Sequence, residues 1–247
     1  MALEGVFPDY AAHEAEGFAG LCCPMRTVMI AFTPRAGSTH LCAALHQAGQ
    51  QAEPSEIFNP RGPARQESER RRVSLFSDYM ASFAAGPDET FIFKTCWQDV
   101  VPLAPVLTRL FPDLHVVYLM RRNDAAQAVS AFKAEVTGQW HRRRGDAPAR
   151  SLTEADFSMD RILSIHAQHT QDRRGWAGWF AAQGIEPLRL TYEDFEADVN
   201  IALRALVPTL GLKLLHEALP GTGYEKLADQ LSKNWTQRLQ CRLLNLG

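Results

Sequence analysis

Four short runs along the chain, three of them largely apolar, predict the strands of a β-sheet. They are RTVMIAF at residues 26–32, FIFK at 91–94, LHVVYLM at 114–120 and PLRLTYED at 187–194. Short runs rich in β-branched and other apolar residues are typical of strands buried on both faces of a parallel sheet. All of them are far too short to span a bilayer, so the sequence predicts no transmembrane segment.

Between these runs, apolar residues recur at helical spacing. The pattern predicts helices near 10–16, 41–48, 67–84, 100–113, 124–138, 153–183 and 197–212. Strands that alternate with helices indicate right-handed crossovers and helices on both faces of a parallel sheet. We therefore predict one α/β domain over residues 1–247, with a P-loop NTPase-like parallel sheet of four to five strands. Residues 1–25 form a lead-in, and residues 213–247 form a C-terminal segment.

The loop after the first strand has the composition of an anion site. It carries Arg35, Gly37, Ser38 and Thr39 directly before a helix, where unpaired backbone N–H groups and the helix dipole attract negative charge. The Walker A pattern is not met, because no lysine separates Gly37 from Ser38. These residues alone fit a turn and helix cap as well as they fit an anion site.

A second element of the same kind follows the third strand. Arg121 and Arg122 end that strand, and Ser130 follows Arg122 by eight positions on the next predicted helix. Two such elements at the carboxyl ends of parallel strands fit a nucleotide with two separated anionic groups.

These motifs resemble a known family. The segments PRAGSTHLCAAL, AEPSEIF, FPDLHVVYLMRRNDAAQAVSAFKAEVTGQWH and LTYEDFEADV are similar to bacterial trehalose 2-sulfotransferases and their lipopolysaccharide sulfotransferase relatives. The resemblance runs from about Arg26 to Leu212. Enzymes of this family move a sulfuryl group from 3′-phosphoadenosine 5′-phosphosulfate (PAPS) to a sugar hydroxyl and release 3′,5′-bisphosphoadenosine.

The resemblance implies a role for individual residues. Glu56 is the implied catalytic base, and Arg35 the cation beside the leaving oxygen. Ala36 stands where many relatives have serine, which leaves the backbone part of the loop intact. The implied donor-binding residues are Arg35, Ala36, Gly37, Ser38 and Thr39 for the 5′-phosphosulfate, Arg122 and Ser130 for the 3′-phosphate, and Lys233, Trp235 and Arg238 in a C-terminal segment that closes over the nucleotide.

Sulfuryl transfer suits these residue types. By analogy with phosphoryl transfer, positioning and charge stabilisation dominate. A sulfuryl group carries less negative charge than a phosphoryl group, so we expect no metal. The resemblance also implies a homodimer and a carbohydrate or glycolipid acceptor, for which Trp97, Gln98 and Trp140 are the candidate contacts.

Composition adds several expectations. The net charge is −2, which gives no reason to expect a nucleic-acid partner. Five cysteines without CxxC spacing and an acidic N-terminal stretch favour a reduced, cytoplasmic protein without an export signal. The basic runs at 69–72 and 141–145 are expected to be solvated faces.

Three other interpretations of the sequence stay open. His166 and His169 share a helical face but lack the HExxH pattern of a zinc site. A P-loop nucleotide phosphotransferase would use Mg·ATP. A non-catalytic nucleotide-binding protein would tolerate replacement of Glu56.

Overall fold

All four predicted strands are present in the computed structural model. The structure describes residues 2–49, 53–83, 90–147, 150–212, 215–216, 219–225 and 227–245. The strands are β1 (Thr27–Phe32), β2 (Phe91–Cys96), β3 (Leu114–Met120) and β4 (Leu188–Thr191). They pair in parallel in the order β2-β1-β3-β4. The predicted α/β class and parallel sheet are confirmed, with four strands among the described residues.

Eleven α-helices connect or flank these strands within the described residues. They are α1 (Tyr10–Ala15), α2 (Ser38–Gln47), α3 (Pro63–Arg71), α4 (Phe76–Ala81), α5 (Trp97–Val100), α6 (Leu107–Leu110), α7 (Asp124–Thr137), α8 (Met159–Gln183), α9 (Tyr192–Phe195), α10 (Asn200–Leu210) and α11 (Gln230–Leu244). Short 3-10 turns occur at Leu3–Gly5 and Glu154–Asp156. No helix of the described part of the chain is both long and apolar enough to cross a membrane.

Alternate residues of β1 enter different hydrophobic clusters. Met29 and Ala31 belong to a cluster with α4, α6 and α8, whereas Val28 and Ile30 belong to one with α2 and α10. Successive side chains of a strand point to opposite faces of the sheet. The all-apolar pattern of β1 therefore follows from helices that cover both faces.

Two regions outside the sheet layers are also well packed. A third hydrophobic cluster joins α7, α8 and α11. The lead-in is part of the core as well, because Phe7 and Tyr10 are buried against Phe76 of α4. Asp9 accepts the backbone N–H of Phe76 at 2.6 Å and so caps that helix.

Several predicted boundaries were wrong for local reasons. The helix predicted at 67–84 is two helices, because Arg72 adopts a left-handed φ of 58° after α3; its predicted end at Ala84 lies outside the described residues. The helix predicted at 100–113 is reduced to α5 and α6, with Pro102 and Pro105 in the turns between them. The strand predicted at 187–194 ends at Thr191, where α9 begins.

The topology brings four strand ends to one edge. Because all strands are parallel, the segments after β1, β2, β3 and β4 share this edge of the sheet. β1 has β2 on one side and β3 on the other, so the strand order reverses there. Ligands of open parallel sheets bind in the crevice at such a reversal.

Candidate active site

The loop between β1 and α2 has the backbone of an anion site. Gly37 is the N-cap of α2 with a left-handed φ of 88°. A Cβ at this position would lie 2.4 Å from Cδ2 of Tyr192, so only glycine fits there. Tyr192 therefore holds the loop close to α9. The unpaired N–H groups of the first turn of α2 follow the loop directly and can bind an anion.

Arg35 links this loop to the second predicted element. Its Nε lies 3.0 Å from Oγ of Ser130 on α7, and its Nη1 donates to the carbonyl of Trp140. The residue is half-buried and has a positive φ of 68°. Burial, with the positive charge of Arg121 close by, lowers the pKa of Arg35 to about 10, so the guanidinium stays charged at neutral pH. The structure thus joins two of the predicted donor-binding residues, Arg35 and Ser130.

Two further side chains hold the loop backbone in place. Gln127 of α7 is buried and donates to the carbonyl oxygens of Thr33 and Pro34, at 3.2 and 2.8 Å. Arg121 donates from Nη1 to the carbonyl of Arg35 at 3.1 Å. Burial lowers the pKa of Arg121, and its guanidinium carbon lies 5.1 Å from the centroid of the Tyr192 ring.

Arg122 is more exposed to solvent than Arg35 and Arg121. Its side chain is 64% exposed and donates to Oδ1 of Asp194 at 2.7 Å. Its backbone N–H donates to Glu193. Arg122 and Ser130 therefore have separate partners, Asp194 and Arg35, and the structure does not join them at one point.

Glu56 lies beside the end of β2. The carbonyl of the preceding Ser55 accepts the backbone N–H of Lys94 at 3.0 Å. Oε1 of Glu56 lies 3.4 Å from Nζ of Lys94, and the same Nζ donates to Oγ1 of Thr39 at 3.2 Å. Lys94 is only 8% exposed. A buried ammonium thus stands between the candidate base and the first turn of α2.

A cavity of about 310 Å³ lies next to the loop. Its lining includes His40 of α2, Tyr192 of α9 and Tyr224. The ring of His40 is stacked on Phe195 and its Nδ1 lies 2.7 Å from Oγ1 of Thr222. The three aromatic side chains of this lining suit a planar heterocycle, and the lining also includes the carboxylates of Glu196 and Glu225.

The three candidate acceptor contacts differ in their neighbours and exposure. Trp97 is half-buried against Trp176 of α8, with ring centroids 5.1 Å apart. A Cβ on Gly175 would lie 2.3 Å from the Trp97 indole. Gln98 is exposed and donates to Asp172 at 3.3 Å. Trp140 is 41% exposed.

The C-terminal candidates lie on α11, which packs on α7 and α8. Trp235 is fully buried in the third cluster and its indole N–H donates to Glu154. Arg238 lies 3.0 Å from the same carboxylate, and Lys233 is exposed in the first turn. Residues 219–225, rather than Trp235 or Arg238, border the cavity through Tyr224.

The basic run at 141–145 is not simply a solvated face. The backbone N–H of Arg144 donates to Gly223, and Glu225 N–H donates to Arg142. Arg142 also pairs with the Glu225 carboxylate at 2.8 Å. The run therefore ties the loop after α7 to the segment that borders the cavity.

His166 and His169 do not come together around a shared ligand set. His166 lies 3.2 Å from a carboxylate oxygen of Asp124, and His169 is buried. No group of three potential metal ligands occurs among the residues that the structure describes.

Sequence reasoning missed several residues of this site. Lys94 had a recognisable signal, since it is a lone charge at the end of an apolar strand segment. Gln127 and Asn59 had none, because their partners are distant backbone atoms or a loop side chain. Tyr192 was hidden because its segment was assigned to a strand.

Comparison with known proteins gives the family of this chain. The sequence profile of the Stf0 sulphotransferase family matches residues 27–242, so the chain belongs to that family. It is 25% identical over 131 residues to trehalose 2-sulfotransferase of Mycobacterium tuberculosis (strain Erdman), which covers 53% of this chain and 47% of that one. It is 27% identical over 141 residues to trehalose 2-sulfotransferase of Mycolicibacterium smegmatis, which covers 57% and 48%. The matched region thus spans about half the length of these relatives.

A solved sulfotransferase from Alicyclobacillus acidocaldarius superposes with a TM-score of 0.49 at 12% identity. The superposition covers 87% of this chain and 92% of the other.

Proposed function

We propose that this protein is a sulfotransferase that moves a sulfuryl group from PAPS to a hydroxyl of a carbohydrate or glycolipid. Membership of the Stf0 family supports the reaction class. The observation that carries the proposal is the contact between Arg35 of the first anion element and Ser130 of the second. Arg35 and Ser130, 95 residues apart in the chain, thus come together at the sheet edge.

The residues present fit this donor. Arg35, Lys94 and the N-terminal turn of α2 provide positive charge for the phosphosulfate. The cavity lined by His40, Tyr192 and Tyr224 has aromatic walls for the adenine ring. When bound, PAPS supplies an activated sulfuryl group and a phosphate leaving group.

The roles of the chain's own residues follow from their positions. Arg35 and the loop amides stabilise charge that grows on the leaving oxygen. Lys94, in contact with both Thr39 and Glu56, neutralises sulfuryl oxygens at the reacting end. Glu56 takes the proton of the acceptor hydroxyl as that oxygen attacks. Two cations at this end provide the charge that phosphoryl transfer draws from a metal, so the proposal requires none.

We assign the 3′-phosphate to Ser130 and Arg122, which requires Arg122 to leave Asp194 when the nucleotide binds, and Lys233 is a further candidate. The N-terminal turn of α11 supports Lys233, because Asp229 and Ser232 there contact Lys133, one turn beyond Ser130 on α7. The acceptor is assigned to the region around Trp97, Gln98 and Trp140. The names of the curated relatives support trehalose as the first acceptor to test.

Calorimetric titration tests the donor class. 3′,5′-Bisphosphoadenosine is expected to bind without added metal, and Mg·ATP far more weakly. Tighter binding of Mg·ATP would favour a nucleotide phosphotransferase and contradict the proposal.

Turnover of Glu56→Gln tests catalysis. The variant is expected to keep its affinity for bisphosphoadenosine and to lose most of its sulfuryl transfer, with a low residual turnover, because glutamine cannot accept the proton. Unchanged turnover would exclude Glu56 as the base. Absence of transfer by both proteins, with nucleotide binding intact, would favour a non-catalytic binding protein.

Neighbouring arginines allow a matched test of the 3′-phosphate. Arg122→Ala is expected to weaken bisphosphoadenosine binding by about 10-fold or more, the value of a charge-assisted hydrogen bond, and to leave binding of adenosine 5′-phosphate nearly unchanged. Arg121→Ala should weaken both nucleotides, since Arg121 holds the loop. If Arg122→Ala weakens binding of bisphosphoadenosine and of adenosine 5′-phosphate equally, Arg122 does not contact the 3′-phosphate.

A further inference from the structure

Both carboxylate oxygens of Glu56 contact a hydrogen-bond donor. Oε1 lies 3.4 Å from Nζ of Lys94, and Oε2 accepts from Nδ2 of Asn59 at 2.8 Å. Residues 53–62 contain no helix or strand. The carboxylate of Glu56 is therefore fixed by these two side chains rather than by regular secondary structure around it.

The orientation of the Asn59 amide follows from its other partner. Oδ1 accepts the backbone N–H of Arg61 at 3.0 Å. A backbone N–H can only donate, so the oxygen of the amide must face Arg61 and the NH₂ group must face Glu56. The hydrogen bond from Asn59 to Glu56 is thus directional and has one possible sense.

Further hydrogen bonds connect Asn59, through Arg61, to the buried carboxylate of Asp99. Nη2 of Arg61 donates to Oδ1 of Asp99 at 2.8 Å, and Nε of Arg61 lies 3.4 Å from Oδ1 of Asn59. The side chain of Asp99 is only 5% exposed, and its second oxygen accepts from the thiol of Cys96. Arg61 thereby connects the loop that carries Glu56 to the start of α5 at the sheet edge.

We propose that Asn59 is the positioning residue of the sulfuryl-transfer reaction, which holds the carboxylate of Glu56 at the angle needed to accept the acceptor's proton. The inference rests on the proposed role of Glu56. Proton transfer requires the base within hydrogen-bond reach of the reacting hydroxyl, and small displacements reduce the rate strongly. With Asn59 and Lys94 on opposite oxygens, each carboxylate oxygen of Glu56 keeps a further lone pair that can accept the proton.

The test is a double-mutant cycle between Asn59→Ala and Glu56→Gln. Turnover is measured with PAPS and a panel of trehalose and lipopolysaccharide sugars, and nucleotide affinity with bisphosphoadenosine. Asn59→Ala is expected to lower kcat by about 10- to 100-fold, with the KM for PAPS and the Kd for bisphosphoadenosine unchanged. Asn59→Asp should lower kcat further, because a second carboxylate would face Glu56. Gln66→Ala removes an exposed amide from the neighbouring helix and serves as the control.

The cycle separates a positioning role from a purely structural one. If Asn59 acts through Glu56, Asn59→Ala causes no additional loss in the Glu56→Gln protein. The same loss in both backgrounds would overturn the proposal, as would normal kcat in Asn59→Ala and Asn59→Asp. A raised Kd for bisphosphoadenosine would also overturn it, since the effect would then lie in the fold of the donor site.

Failure of the underlying function gives a different pattern. Full turnover of Glu56→Gln would overturn the role of Glu56, and the positioning role with it. If Glu56→Gln loses turnover while Asn59→Ala and Asn59→Asp keep normal turnover, the positioning role of Asn59 is overturned and the role of Glu56 is not. No transfer by the unaltered chain to any sugar of the panel would overturn the proposed function and this inference together.

Discussion

Replacement of Gly37 by alanine tests whether Tyr192 fixes the anion loop. The new Cβ would lie 2.4 Å from Cδ2 and 2.9 Å from Cε2 of Tyr192, about 1 Å inside an ordinary carbon contact. The ring cannot retreat freely, because Arg121 covers it at 5.1 Å and Phe195 contacts its edge at 5.8 Å. Either the loop or the ring must therefore move.

The cost of Gly37→Ala has two parts that a control separates. A left-handed φ costs an alanine about 1 kcal/mol, and overpacking of this kind costs about 1–3 kcal/mol more. Gly184 has a φ of 64°, and a Cβ added there would meet no neighbouring side chain within 4 Å among the described residues, so Gly184→Ala measures the first part alone. For a chain of this size, each kcal/mol lowers the melting temperature by about 2–4 °C.

Thermal melting and calorimetry give the result. Gly37→Ala is expected to melt several degrees below Gly184→Ala and to bind bisphosphoadenosine at least about 10-fold more weakly, since a shift of ~1 Å would break the hydrogen bonds proposed between this loop and the 5′-phosphate. Gly184→Ala should bind the nucleotide normally. Equal melting temperatures and unchanged affinity for both variants would refute the reasoning.

Three further predictions concern buried side chains. Lys94→Met is expected to lower kcat by about 100-fold, because Glu56 and, in the proposed mechanism, the sulfuryl oxygens lose their cation. An unchanged kcat in steady-state kinetics with PAPS would contradict this role. Burial, together with the charge of Arg173, holds the pKa of His169 at about 4, below the value of about 6.5 for an unfolded histidine. The unfolded chain therefore takes up the proton first, and the free energy of unfolding should fall as the pH drops from about 6.5 to 4; His169→Gln should lack this part of the slope in urea titrations. Trp235→Ala is expected to cost about 3–5 kcal/mol in urea unfolding, and a loss of nucleotide affinity without that destabilisation would instead support a direct role in donor binding.

The parallel sheet was predictable because its central strand β1 is apolar on both faces. Val28 and Met29 enter different clusters on opposite sides of the sheet, and a continuous apolar run is the direct result. The break after α3 was not predictable in the same way, since Arg72 has an ordinary side chain in a left-handed conformation.

The candidate site was predictable only where a local motif carried it. The segments at Arg35 and at Arg121–Arg122 were recognisable because each follows a strand and precedes a helix, and Ser130 lies on the second of these helices. The contact of Asn59 with Glu56 and of Tyr192 with Gly37 depends on side-chain directions in irregular or distant segments. Hydrophobic periodicity contains no information about those directions.

The packing of Trp97 against Gly175 has a consequence for sequence divergence. Glycine inside a helix such as α8 costs about 1 kcal/mol relative to alanine, yet a methyl group here would overlap the indole ring. In relatives with a small residue at the position of Trp97, a methyl group at the position of Gly175 would meet no indole ring. Alanine at that position should then stabilise the helix. The two positions should therefore covary across the family, and pairs of a large ring with alanine should be rare.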